Sequence, residues 1–215
     1  MNLKHAVVVS ALLFLAACGG SGSGTADYAR AMQYMRGTGV TQDQAKGVEF
    51  LLKAADAGHA EAQVTMGYYY LKGTNGVAQD SAKAIEYLEM AAEQGNRDAQ
   101  YNMGLAYVRG EGTAADFAKA YEWFEKAAYQ DDAGAQYNMG VMIINGEGAV
   151  ADPLAAYVWF RLANEKGHAG AAEGMEAAKN DMTSEQAEEI DREYAKISRK
   201  IKKPAGAVSP NSVPL

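Results

Sequence analysis

The chain has 215 residues, 27 of them acidic against 20 Lys or Arg, giving a formal net charge of −7, and it holds a single Cys. Hydrophobic residues at 48% and charged residues at 22% are globular proportions, which exclude a wholly disordered chain, and one Cys excludes a disulfide framework or a Cys-based zinc site. The acidic balance argues against nucleic-acid binding, which needs a basic surface to displace counterions.

Residues 1–17 read MNLKHAVVVSALLFLAA. Lys4 precedes an apolar run from Ala6 to Ala17, interrupted only by Ser10. Such a run is too short to cross a hydrocarbon core about 30 Å thick, which takes roughly 20 helical residues. It has the length of the apolar core of a secretory signal. The run closes on Leu15-Ala16-Ala17-Cys18, which resembles the lipobox of bacterial lipoproteins. The resemblance implies a signal peptide over 1–17, cleavage before Cys18 and lipidation of that Cys; an ordinary signal peptide with an incidental Cys is the alternative. Gly19 to Thr25 (GGSGSGT) reads as a flexible tether, so 18–25 is expected to be the lipidated Cys and a linker with a reach of roughly 15 Å. In Gram-negative lipoproteins an Asp after the lipidated Cys commonly retains the protein in the inner membrane. Gly19 and Gly20 stand there instead, so the resemblance implies an outer-membrane anchor with the folded part facing the periplasm.

The rest of the chain repeats itself. Ala62-Gln63-Val64-Thr65-Met66-Gly67 recurs as Ala99-Gln100-Tyr101-Asn102-Met103-Gly104 and as Ala135-Gln136-Tyr137-Asn138-Met139-Gly140, at steps of 37 and 36 residues. The extra residue lies in the loop, where Gly73-Thr74-Asn75-Gly76 replaces Gly110-Glu111-Gly112. Each unit predicts two antiparallel helices. Helix A ends at a Gly placed for a left-handed residue after the helix. Helix B follows Asp43, Asp80, Asp116 or Asp152, whose carboxylates suit an N-cap, and Pro153 takes the first helical position in the fourth unit. Apolar residues then recur at helical spacing, as in Ala120, Trp123, Phe124, Ala127 and Ala128. Gly67, Gly104 and Gly140 allow close helix approach, and Tyr107, Trp123 and Trp159 are large enough to fill the space between layers. One such pair cannot bury its own apolar face, so neighbouring pairs must stack.

The pattern Ala-Gln-Tyr-Asn-Met-Gly-x-x-Tyr-x-x-Gly-x-Gly, then Asp, then Lys-Ala-x-x-Trp-Phe-x-x-Ala-Ala, resembles the Sel1-like repeat, a relative of the tetratricopeptide repeat. The resemblance implies an all-α fold, a right-handed α/α superhelical solenoid of helix-pair repeats with a C-terminal capping helix. Four repeats plus a partial fifth are expected over 26–180, with units beginning near 26, 59, 96 and 132. The first unit is degenerate, with Ala31 for Gly and Gly47 for Ala. The partial fifth begins at His168. Ser184, Gln186, Ala187, Ile190, Tyr194 and Ile197 predict the capping helix within 181–203. The tail 204–215, PAGAVSPNSVPL, holds three of the four Pro and is expected to be disordered.

The chain shows no nucleophile motif, phosphate-binding Gly loop or metal-ligand spacing, so no catalytic residue, metal or cofactor is expected. Some Sel1-like proteins are linked to β-lactam hydrolysis, but that subgroup is Cys-rich and these repeats carry no Cys. His59 and His168 hold equivalent places at turns between units, too far apart to share a metal, and are read as structural. The pairs Glu188-Glu189 and Asp131-Asp132 are read as solvated, since neighbours on a helix do not face each other.

The candidate site lies on helix A. Five residues after Ala31, Gly67, Gly104 and Gly140 come Arg36, Lys72, Arg109 and Asn145. In repeats of this kind the A helices line the concave surface, so the three cations would grip a carboxylate or an acidic segment. The competing reading is that each is the last helical residue, where the helix dipole alone favours a cation. Tyr68, Tyr101 and Tyr137 are expected on the same face, beside Val64, Leu105 and Val141. Asn102 and Asn138 lie nearby, at positions that in tetratricopeptide-like repeats contact bound peptide. The resemblance thus implies a lipid-anchored periplasmic protein–protein interaction scaffold with a protein or peptide, of acidic character, in its concave groove. An immunity protein neutralising a secreted effector is a second reading, and an envelope hydrolase acting on peptidoglycan or β-lactams a third.

Overall fold

The structure is a computed structural model that describes residues 21–201. Among them are ten helices: α1 (Ser21–Arg36), α2 (Gln44–Asp56), α3 (Ala60–Lys72), α4 (Ser81–Glu93), α5 (Arg97–Arg109), α6 (Phe117–Tyr129), α7 (Ala133–Asn145), α8 (Pro153–Glu165), α9 (Ala171–Asn180) and α10 (Ser184–Ser198). Each packs on the next, α1 with α2 through α8 with α9, and α10 returns to α8. The chain is therefore all-helical and built as sequential helix-pair repeats. No helix among the described residues is long and apolar enough to cross a membrane. The signal run, Cys18 and the 204–215 tail lie outside the described residues.

The helix ends follow their capping chemistry. Asp43, Asp80 and Asp116 accept from the backbone N–H groups of Lys46, Lys83 and Lys119, and Asp152 from those of Leu154 and Ala155. Gly73, Gly110 and Gly146 close α3, α5 and α7 in the left-handed conformation. A Thr183/Gln186 capping box starts α10.

Packing within a pair sets Gly of helix A against a large residue of helix B. A Cβ on Gly104 would meet the Phe124 ring at 2.5 Å, one on Gly140 the Phe160 ring at 2.7 Å, and one on Gly67 the Leu88 Cγ at 2.8 Å. The degenerate first pair keeps this close approach with the roles exchanged. Ala31 stands on helix A, and a Cβ on Gly47 of helix B would lie 2.5 Å from Met35 Cγ. Tyr107 and Trp159 are buried between layers, while Trp123 is half-buried with the Lys126 ammonium 3.7 Å over its ring.

A chain of buried amides joins one pair to the next. Gln63, Gln100 and Gln136 are almost fully buried. Their Nε2 groups donate to the carbonyls of Ala55, Ala92 and Ala128, eight residues back on the preceding helix B. Gln94 and Gln130, at the ends of α4 and α6, donate in turn to Gln63 Oε1 and Gln100 Oε1, both at 2.7 Å. At the third step Lys166 stands where Gln is expected. Its ammonium goes to Asp131 at 2.8 Å, leaving Gln136 Oε1 without a partner.

One region differs from the sequence reading. The linker expected over 18–25 is helical from Ser21 onward, because Gly24 is buried against α2, where a Cβ would lie 3.3 Å from Ala57 Cβ. Tertiary packing here overrides the weak helix propensity of Gly and Ser. The capping helix docks on α8 as a further helix B would. Tyr194 O–H donates to Glu165 at 2.8 Å, as Tyr87 O–H of α4 donates to Asp56 of α2 at 2.7 Å. Arg161 pairs with Asp191 at 2.9 Å and lies 4.0 Å over the Tyr194 ring.

Candidate functional site

Repetition brings equivalent residues of α1, α3, α5 and α7 into rows. Arg36, Lys72 and Arg109 are the last residues of α1, α3 and α5 and all three are exposed. Arg109 Nη1 is 3.8 Å from Glu111 Oε1. At the N-terminal ends stand Glu61 and Asp98 in the first turns of α3 and α5, and Asp132 as the N-cap of α7. Of the A helices, α3 and α5 carry a carboxylate in the first turn and a cation at the end, in line with their dipoles, although Arg97 opens α5 beside Asp98 at 3.1 Å.

Between the ends lie the tyrosines, of which Tyr101 and Tyr137 are seated on the next repeat. Tyr101 packs on Phe124 at 5.8 Å and over Gly134, where a Cβ would meet its ring at 3.0 Å. Burial pushes its hydroxyl up from the usual phenol range, with the Asp132 carboxylate adding to the shift; the nearby Asn138 side chain and the Arg109 charge act the other way. Tyr137 stacks on His168 at 4.4 Å and packs on Phe160 at 5.6 Å. Tyr68 is half-buried, 6.3 Å from the Tyr69 ring. Asn138 is half-buried against Tyr101, whereas Asn102, expected beside the groove, is only 8% exposed and its Oδ1 has no partner.

The turn residues carry structure. His59 is the N-cap of α3, its Nδ1 accepting from the Ala62 N–H, and it stacks on Tyr28 at 4.3 Å. Asp131 and Asp132 are not the solvated pair that their adjacency suggested. Asp131 adopts a left-handed φ of 70° and holds Lys166. Asp132 accepts from the Ala135 N–H at 2.8 Å and lies 3.5 Å from Arg97 Nε. Burial raises the Asp132 carboxyl above the usual carboxylate range, against the pull of that N–H and of Arg97. A raised native value means the folded state binds this proton more tightly than the unfolded one. Stability from this group is therefore present below the unfolded value and lost as pH rises through the folded one. Asp132→Asn keeps an N-cap acceptor and removes the buried charge. It is expected to raise Tm by about 1–2 °C at pH 7 and to leave it unchanged at pH 3, where both side chains are neutral. Thermal melts at the two pH values check this.

The glutamine chain was not anticipated, although its signal was legible: a polar residue recurring next to Ala within a core-facing stripe. A cleft of about 330 Å³ opens beside Lys72, lined also by Leu71, Gln79, Ser81 and Glu111. Among the described residues no cluster of three or more His, Cys, Asp or Glu is placed to hold a metal ion.

Comparison with known proteins agrees with this architecture. The family profile described as Sel1 repeat matches residues 9–36, 34–59, 60–96, 97–132 and 133–168. The last three matches coincide with α3/α4, α5/α6 and α7/α8. The crystal structure of a Sel1 repeat protein from Oxalobacter formigenes is 32% identical over 74% of this chain and 46% of that one, with a TM-score of 0.66. A protective antigen present in uropathogenic Escherichia coli strains and displaying an SLR fold covers 89% of this chain and 51% of its own, at 21% identity and a TM-score of 0.56. The chain spans about half the length of each of these two structures. No curated protein matches it. The comparisons identify a repeat scaffold, a type that serves protein–protein interaction generally, and no catalytic domain. Five profile matches and a 32% identical structure carry one conclusion: the chain belongs to the Sel1 repeat family.

Proposed function

We propose that the chain is a lipid-anchored interaction scaffold that holds a protein or peptide partner on the face of its A helices. In this reading Cys18 is the lipidated first residue of the mature chain. The anchor is in the outer membrane, and the repeats face the periplasm. The observation that carries the binding reading is the row of exposed cations at the ends of α1, α3 and α5, set beside tyrosines already seated by their neighbours. A preformed wall of this kind binds without first ordering itself, which lowers the entropic cost of association. A basic edge on an otherwise acidic chain selects an acidic partner segment and speeds its encounter.

The test is affinity capture with a chain beginning at Ser21, because α1 starts there. Replacing Arg36, Lys72 and Arg109 together by Gln is expected to weaken the captured partner at least tenfold and to flatten its salt dependence. Unchanged strength and salt dependence would show that the cations only terminate helices. Cys18→Ala in the full chain is the arm for the anchor, with release from the membrane fraction as the expected result.

A further inference from the structure

The step from α3 to α5 departs from its neighbours in three respects. First, Val64 stands where α1, α5 and α7 carry Tyr28, Tyr101 and Tyr137. At the following step, from α5 to α7, the Asn138 side chain lies close enough to the Tyr101 hydroxyl to hold its pKa down against burial. Asn102 holds the place of Asn138 one repeat earlier, and the tyrosine that would meet it is absent. Second, Asn102 is 8% exposed with Oδ1 unpartnered. Such buried groups are rare in folded proteins and call for a reason. Third, the cleft of about 330 Å³ opens at the loop end of this same step, between Leu71 and Lys72 of α3 and Glu111 just past α5.

These features lie along one line. Val64, Tyr68 and Leu71 share a face of α3 by their spacing, and Asn102, Leu105 and Arg109 share a face of α5. Val64 and Leu71 are separated by about 10 Å along the helix axis, and Leu71 lines the cleft. The charges are ordered along the same line. Glu61 and Asp98 stand at the N-terminal ends, and Lys72 and Arg109 at the loop end. Glu111 is the one carboxylate lining the cleft, and it lies beside Arg109.

We infer that the α3–α5 step is a binding site for an extended segment carrying a tyrosine and a carboxylate about 10 Å apart, a span of about three residues in extended chain. The inference rests on the groove reading and narrows it. The phenol lies over Val64 and donates its proton to Asn102 Oδ1, supplying from the partner the ring that the chain supplies itself at the next step. The Asp or Glu enters the cleft beside Lys72, the one cation lining it, with Arg109 drawing on Glu111 from outside. Its opposite orientation is disfavoured by Glu61, while Asp98 is already paired with Arg97.

The test titrates the full chain with the capped tetrapeptide Tyr-Ala-Ala-Glu and its reverse, following the Asn102 side-chain amide by NMR. One of the two is expected to shift that resonance and to bind at least tenfold more tightly than its Phe counterpart, and about threefold more tightly than its Gln counterpart. Asn102→Leu is expected to abolish the preference for Tyr over Phe. Val64→Tyr fills the step from within, so it is expected to raise Tm and to eliminate peptide binding. Equal binding of the Tyr and Phe peptides, binding of neither, or a Val64→Tyr chain unchanged in stability and binding overturns the inference. Partner capture that survives Val64→Tyr but is lost on replacing Arg36, Lys72 and Arg109 removes this inference alone. Capture that survives both removes the groove reading with it.

Discussion

A peptide spanning residues 97–132, the α5/α6 pair, is expected to be unfolded in water at 25 °C, with far-UV circular dichroism showing less than about 20% helix. Inside the chain this pair is well packed, with Met103 and Phe124 almost fully buried. Its burial is mostly borrowed. Gln100 needs the Ala92 carbonyl of α4, and Tyr101 needs the bed of Gly134 and the Asn138 side chain of α7. Excision exposes both flat faces of the layer and leaves a peptide below the roughly 40 residues at which unstapled chains fold alone. Ordering each residue costs about 1–2 kcal/mol of backbone entropy, and one pair cannot offset that. Residues 60–168 form three consecutive pairs with one fully enclosed, and they are expected to fold cooperatively. A compact, cooperatively melting monomer from 97–132 alone would remove the stacking argument on which the shared A-helix wall depends.

The parts of this fold that were legible in the sequence are those fixed by local chemistry repeated in register. Asp116 announces α6 because its side chain can reach the N–H of Lys119, and Gly110 ends α5 because the chain turns there through a left-handed residue. Both requirements are met within a few positions of chain. What was not legible depends on neighbours far along the chain. Gly24 looks like linker until Ala54 and Ala57 are known to lie beneath it. Asp131 and Asp132 look solvated until Arg97 and Lys166 close over them. The candidate site divides in the same way. The cation row followed from counting residues to each helix end. The burial of Asn102 did not, because α3 carries Val64 at the position from which Tyr101 meets Asn138.

Two loop glycines separate backbone strain from docking between repeats, and the difference between them is the second large effect. Gly76 and Gly112 occupy equivalent places and both lie in the left-handed region, at φ of 81° and 73°. A Cβ on Gly76 meets nothing within 4 Å, while one on Gly112 would collide with the Ser81 carbonyl and lie 2.8 Å from Ile85 Cγ1 of α4. Gly76→Ala therefore carries the conformational penalty alone, about 1–2 kcal/mol. Gly112→Ala adds a clash with backbone that cannot rotate away and is expected to cost about 3–5 kcal/mol in all. For a chain of this length the losses in Tm are about 2–8 °C and about 6–20 °C respectively, read in paired thermal melts with urea unfolding as the check on ΔG. Equal losses would mean that the third loop is not seated on α4. Gly148 repeats the seating on the Phe117 carbonyl of α6. The second loop is different: it is one residue longer, and a Cβ on Gly76 would meet no neighbouring repeat. It joins α3 to α4 beside Lys72 and Gln79. The extra residue that breaks the 36-residue step thus falls where the loop edge opens into a cleft, at the same step where Asn102 lacks its tyrosine.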